Sequence, residues 1–148
     1  METVVEQWAL SNGAWGLFTI AFLAATILPF SSEVALAGAL MTPMPPLQAL
    51  AAASAGNCLA CLFNYGLGAV FHQRAAERLG ATWGGRRALD WSQRYGGIAL
   101  LASWLPVVGD PLTIVAGVLR VPLIHYVVVV LTLRIVRYGA ITWPFLEG

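Results

Sequence analysis

Apolar residues fall into four stretches, and a single polar segment separates the first pair from the second. The first runs from Ala14 to Met44 and carries Pro29, Ser31, Ser32 and Glu33 near its centre. It is too long for one straight crossing, which takes about 20 residues. Pro29 removes a backbone donor and breaks the helical ladder. The two arms, 14–28 and 34–44, are each too short to span. The pattern predicts a re-entrant broken hairpin over 14–44. The second stretch, 47–71, has no charge and is rich in Ala and Gly, which predicts a plain spanning helix. Ala52, Gly56 and Ala60 recur every four residues, the small-residue spacing that lets membrane helices approach closely. Asn57 and Asn64 lie inside it, and two roles suit them: interhelical hydrogen bonding, or direct contact with a substrate.

The segment 72–97 breaks this pattern. Arg74, Arg78, Arg86, Arg87 and Arg94 alternate with Glu77, Asp90, Trp83, Trp91 and Tyr95. Five arginines against two acids predict a cytoplasmic connector by the positive-inside rule, and its aromatics suit the headgroup layer. Part of it is expected to lie as an interfacial helix. The third stretch, 98–119, is interrupted by Pro106, Gly109 and Pro111, leaving two arms that cannot span, so a second hairpin is predicted. The fourth, 121–145, is long enough to cross once but contains Arg134 and Arg137, three apart and hence on one helix face.

Composition narrows the class. The chain has 148 residues, 59% of them hydrophobic and 10% charged; its mean hydropathy is +0.75. A soluble domain carries about 25% charged residues, so an all-α integral membrane protein is expected, as a single domain over 1–148. All eight basic residues are arginine and the net charge is +1, which leaves no basic surplus for nucleic acid. The N-terminus has Glu2 and Glu6 and no basic residue, the wrong start for a cleaved signal, so the first stretch is expected to persist. Cys58 and Cys61 have no further ligands at motif spacing and are read as packing residues; no metal or cofactor is expected.

The two interrupted stretches repeat one another. Leu28-Pro29-Phe30-Ser31-Ser32-Glu33 aligns with Leu105-Pro106-Val107-Val108-Gly109-Asp110, so each places an acid four residues after proline. Each then reaches an Ala-Gly pair, at Ala37-Gly38 and Ala116-Gly117. A unit of broken hairpin plus one spanning helix must be inverted when it repeats, a transporter architecture whose interrupted helices mark the binding site. The hairpin tips would then meet near the midplane, where irregular backbone is tolerated only inside protein or against a wet cavity. Once terminal and connector charges are set aside, Glu33, Asp110, Arg134 and Arg137 remain, with Arg120 at the end of the second hairpin. A charge at bilayer depth costs about 2.5–3.5 kcal/mol on insertion scales, which makes each a candidate for function. The structural alternative is a charge cluster that neutralises itself.

Several motifs carry a family resemblance. Pro29-Phe30-Ser31-Ser32-Glu33, Ala55-Gly56-Asn57, Asn64-Tyr65-Gly66-Leu67-Gly68 and Arg94-Tyr95-Gly96 form one part of it. Ser103-Trp104-Leu105-Pro106-Val107-Val108-Gly109-Asp110-Pro111-Leu112, Ala116-Gly117-Val118-Leu119-Arg120 and Arg137-Tyr138 complete it. Together they resemble the short YqaA-type branch of the DedA family, whose fold is also called the VTT or SNARE-associated domain. The resemblance implies facing re-entrant hairpins and a bacterial inner-membrane protein that moves a lipid between leaflets. Undecaprenyl phosphate is the substrate associated with some members, and proton coupling is implied as well. Glu33 and Asp110 match the acidic hairpin positions of this branch. Longer members carry Arg-x-x-Pro-x-x-Arg in the second hairpin, and those arginine positions read Ser103 and Gly109 here. Arg120, Arg134 and Arg137 are left to supply a phosphate-binding guanidinium.

The expected function is a flippase or transporter for an anionic lipid, with Glu33 or Asp110 exchanging a proton as the site changes sides. Asn57 and the three arginines complete its expected substrate and proton site. Two rivals stand beside it. A structural or assembly factor would use the charges for packing alone. A membrane enzyme acting on lipid phosphate lacks a Gly-rich loop, a ligand cluster and a Ser-His pairing. Membrane lipids and protons are the expected partners, and the small-residue face allows a homodimer.

Overall fold

The computed structural model describes residues 11–26, 32–105 and 108–147, and among these the regular structure is helical throughout. Seven α-helices follow in order: α1 (Gly13–Thr26), α2 (Ser32–Leu40), α3 (Pro46–Val70), α4 (His72–Gly80), α5 (Trp83–Tyr95), α6 (Gly109–Val118) and α7 (Leu123–Leu146). A 3₁₀ helix, Gly96–Trp104, joins α5 to the segment before α6. Among the described residues, only α3 and α7 are long and apolar enough to cross a membrane. At 1.5 Å per residue either exceeds the ~30 Å hydrocarbon core. In their most apolar windows just 33% of α3 and 22% of α7 is buried within the protein. The core helix of a soluble protein would be mostly covered. Trp15, Met41, Ile98 and Ile124 are likewise more than 70% exposed. So much uncovered apolar surface calls for an apolar solvent.

Local chemistry explains the helix ends. Pro46 occupies the first position of α3, where its missing N–H costs nothing. Thr82 caps α5 by accepting the Gly85 amide at 3.0 Å. Inside α1, the Thr19 and Thr26 hydroxyls donate to the carbonyls of Trp15 and Phe22, so neither is left unsatisfied in apolar surroundings. Helix α6 closes with two reversed bonds, Arg120 N–H to Gly117 O at 3.0 Å and Val121 N–H to Ala116 O at 2.9 Å. This motif needs a left-handed residue, and Arg120 supplies it with φ 52° where glycine is usual.

The described helices lie along the predicted stretches. The spanning helix placed at 47–71 is α3, and that at 121–145 is α7. The broken stretch 14–44 divides into α1 and α2, and the stretch 98–119 into the 3₁₀ helix and α6. Pro29 and Pro106 lie outside the described residues. Gly109 and Pro111 open α6, where a first-turn proline is tolerated. The connector is two helices, α4 and α5, and Trp91 turns inward to pack against a core rather than outward.

The chain divides into two compact units, residues 1–60 with 134–148, and residues 61–133. In the first, Leu17 and Ala21 of α1, Leu36, Ala39 and Leu40 of α2, Ala49 and Ala53 of α3 and Tyr138 of α7 form the core. Gly56 faces α1 so closely that a Cβ there would overlap the Phe18 carbonyl oxygen. The expected small-residue face is therefore used, although Ala49 and Ala53 are covered more fully than Ala52. In the second unit, Leu79, Ala88, Ala99, Val108, Leu112 and Val115 form one cluster and Cys61, Leu100, Ala116, Tyr126 and Val130 another. There α3 and α6 meet backbone to backbone: a Cβ on Gly117 would strike the Tyr65 carbonyl oxygen, and one on Gly68 that of Ile114.

Two stability outcomes follow. Gly117→Ala should lose about 1–3 kcal/mol because backbone must move to admit the methyl. Gly66→Ala, with nothing near its Cβ position, should gain up to about 1 kcal/mol. Denaturant unfolding in mixed micelles distinguishes the two, and equal effects would contradict the packing described. Arg120→Gly should be neutral or stabilising by about 1 kcal/mol, since glycine adopts the left-handed conformation without penalty; a lower melting temperature would show that the Arg120 side chain itself supports the fold.

Candidate functional site

On α7 the buried residues Tyr126, Val130, Arg134, Tyr138 and Thr142 recur every fourth position. Such spacing draws one line along a helix face. Four of the five carry polar groups, in a helix rich in Val, Leu and Ile. Arg134 is only 4% exposed, a burial that charged side chains rarely reach.

In the first unit this line meets the start of α2. Arg137 pairs with Glu33 through Nη2 and Oε1, their side chains 14% and 27% exposed. The neighbouring residues do the same with neutral groups: the hydroxyls of Ser32 and Tyr138 share a hydrogen bond. Asn57 of α3 donates from Nδ2 to Ser32 Oγ at 3.4 Å. Two consecutive residues of α2, Ser32 and Glu33, are thus held by two consecutive residues of α7, Tyr138 and Arg137. Asn57, Tyr138 and Ser32 are all buried, so the neutral bond fixes the helix turn that carries the acid.

The second unit carries a parallel arrangement. Asp110 stands in the first turn of α6 as Glu33 stands in the first turn of α2, where the helix dipole favours an acid by about 0.3–1 kcal/mol. Thr113 Oγ1 donates to the Asp110 carbonyl at 2.6 Å and accepts from Asn64 Nδ2 at 3.1 Å. Asn57 and Asn64 are seven residues apart, two turns of one helix, and each grips a hydroxyl on an acid-bearing helix. Interhelical hydrogen bonding was one of the two roles foreseen for them. Tyr65 and Tyr126 brace the same unit, their hydroxyls donating to Val121 O and Cys61 O at 2.6 Å each.

Of the predicted site residues, Glu33, Arg134, Arg137 and Asn57 belong to the first unit and Asp110 and Arg120 to the second. Arg120 sits at the exposed end of α6. Ser103, at a position where longer members carry arginine, is fully buried, and Gly109 opens α6. Ser32, Tyr138 and Thr113 were not singled out from sequence. The signal available was the four-residue spacing of polar groups along an apolar helix. Among the described residues no three His, Cys, Asp or Glu side chains are grouped to hold a metal.

Residues 28–143, which include both acids and both α7 arginines, match the VTT domain. The chain belongs to the VTT domain family. It is 39% identical over 132 residues to inner membrane protein YqaA of Escherichia coli strain K12, covering 86% of this chain and 89% of that protein. The protein of the same name from Shigella flexneri matches equally. An uncharacterized protein of Haemophilus influenzae is 36% identical over 148 residues, covering 92% of this chain and 91% of that one. No solved structure matches. As a VTT-domain membrane protein, the chain has a ready explanation for its exposed apolar helices, and its ion pair sits on a helix of spanning length.

A double-mutant cycle measures that pair. Glu33→Gln and Arg137→Gln should each destabilise, and their summed effects should exceed that of the double variant by about 1–3 kcal/mol, because each single change strands a half-buried charge. Additive unfolding free energies in mixed micelles would show that the pair holds nothing.

Proposed function

We propose that this VTT-domain protein moves an anionic lipid between the leaflets of the bacterial inner membrane, coupled to a proton. The observation that carries the reading is the Glu33–Arg137 ion pair on spanning helix α7, with buried Arg134 three residues before it. A carboxylate and a phosphate are alternative partners for one guanidinium. When Glu33 binds a proton its charge is lost, the pair opens, and Arg137 is freed for the phosphate of a lipid headgroup. Release of the lipid lets Glu33 ionise and close the pair again. Proton and anion therefore bind together, and the site never holds a bare cation at bilayer depth. Asn57, Ser32 and Tyr138 keep α2 in place while the pair exchanges.

The sequence repeat supports extending this to an inverted pair of re-entrant hairpins, 14–44 and 98–119, within one domain. Asp110 is the second unit's equivalent of Glu33, and the Arg-rich connector is cytoplasmic. The lipid class that the family resemblance implies is a polyisoprenyl phosphate such as undecaprenyl phosphate.

Purified protein in liposomes, with headgroup accessibility read for candidate lipid phosphates under a pH gradient, tests the reading. Wild type should transport. Glu33→Gln, which mimics the protonated acid, should bind lipid but turn over at least ten-fold more slowly, and Arg137→Gln should lose binding. Wild-type rates in Glu33→Gln and in Asp110→Asn would leave the ion pair a structural feature.

A further inference from the structure

Helices α4 and α5 display a charge that the ion-pair site does not use. Arg74, Arg78, Arg86, Arg87 and Arg94 are all exposed, against Glu77 and Asp90. Among the described residues, neither Arg86, Arg87 nor Arg94 is in an ion pair. Helix α5 turns Gly84, Gly85, Ala88 and Ser92 inward, and its opposite face carries a shallow cleft of about 310 Å³ lined by Trp83, Arg86, Arg87 and Asp90. Arg87 lies over the Trp83 ring at 5.3 Å. That stacking restrains the guanidinium and so reduces the entropy lost when it binds an anion. Helix α4 starts two residues after α3 ends at Val70, which brings the segment to the margin of a spanning helix.

We infer that this cleft binds the headgroup of an anionic phospholipid of the surrounding leaflet, with Arg86 and Arg87 on its phosphate and Asp90 accepting from a headgroup hydroxyl. The charge is complementary, a guanidinium pair matches phosphate oxygens bidentately, and Trp83 is 57% exposed and suits the interfacial layer. A lone phosphate would gain from the arginines but be repelled by Asp90. A headgroup bearing a hydroxyl turns that acid into a partner. The inference rests on the membrane reading of the chain and is independent of whether the lipid in the cleft is ever transported.

Spin-labelled phosphatidylglycerol and phosphatidylcholine, compared for immobilisation by the full chain in bilayers, provide the test. Wild type should prefer phosphatidylglycerol, and the preference should fall about five-fold for each arginine removed in Arg86→Gln and Arg86→Gln/Arg87→Gln. Arg86→Lys/Arg87→Lys should keep only part of it, because the charge is retained while the bidentate fork and the stacking on Trp83 are lost. Raising salt to about 0.5 M should weaken the wild-type preference without any mutation, which covers the case of a variant that fails to fold. A wild-type preference in Arg86→Gln/Arg87→Gln that is also unchanged by salt would overturn the assignment. So would a preference lost in Glu33→Gln/Arg137→Gln but kept in Arg86→Gln/Arg87→Gln, since the lipid would then belong to the ion-pair site. Loss of transport in Glu33→Gln with the preference intact separates the two sites.

Discussion

Placing a charge where the solvent is hydrocarbon obliges the protein to give it a partner, and that obligation organises the first unit. Glu33 and Arg137 satisfy one another on elements that are far apart in sequence, so the short helix α2 must dock on α7 at one register. The Ser32–Tyr138 hydrogen bond, one residue along on both helices, enforces the same register with neutral groups. An ion pair alone could slide or open. The hydroxyl pair beside it and Asn57 bonded from α3 tie the turn bearing the acid through neutral groups as well.

Close backbone approach is the second constraint. Membrane helices gain little from burying apolar side chains against one another, since lipid is equally apolar, and depend on packing and interhelical hydrogen bonds. The glycine contacts of Gly56 with Phe18, and of Gly68 and Gly117 with the opposing carbonyls of Ile114 and Tyr65, supply the packing. The Asn64–Thr113 bond supplies the polar contact in the second unit. Each unit thus combines a glycine contact, an asparagine on α3 and a helix with an acid in its first turn.

The connector shows how the chain separates two uses of arginine. On α7 the guanidiniums are largely covered, and that of Arg137 pairs with Glu33. On α4 and α5 they are exposed, and that of Arg87 lies over the Trp83 ring. Burial, and hence the cost of leaving the charge alone, decides which arginine needs an acid and which does not.

Hydropathy alone placed the two long apolar helices α3 and α7 to within two residues and singled out the charges that lie within apolar stretches. These are local properties: length, a missing donor and transfer cost are written residue by residue. The family could be read as well, because its motifs are contiguous. Tertiary structure alone decided that Glu33 takes Arg137, that Tyr138 and Ser32 brace the pair, and that Gly117 rather than a side chain meets α3. It also decided that Arg120 serves as a left-handed helix end. Partner choice depends on which residues meet across 104 positions of chain between Glu33 and Arg137. No periodicity within a single helix encodes that distance, so a pairing of acids with arginines was legible as an alternative, and which acid takes which arginine was not.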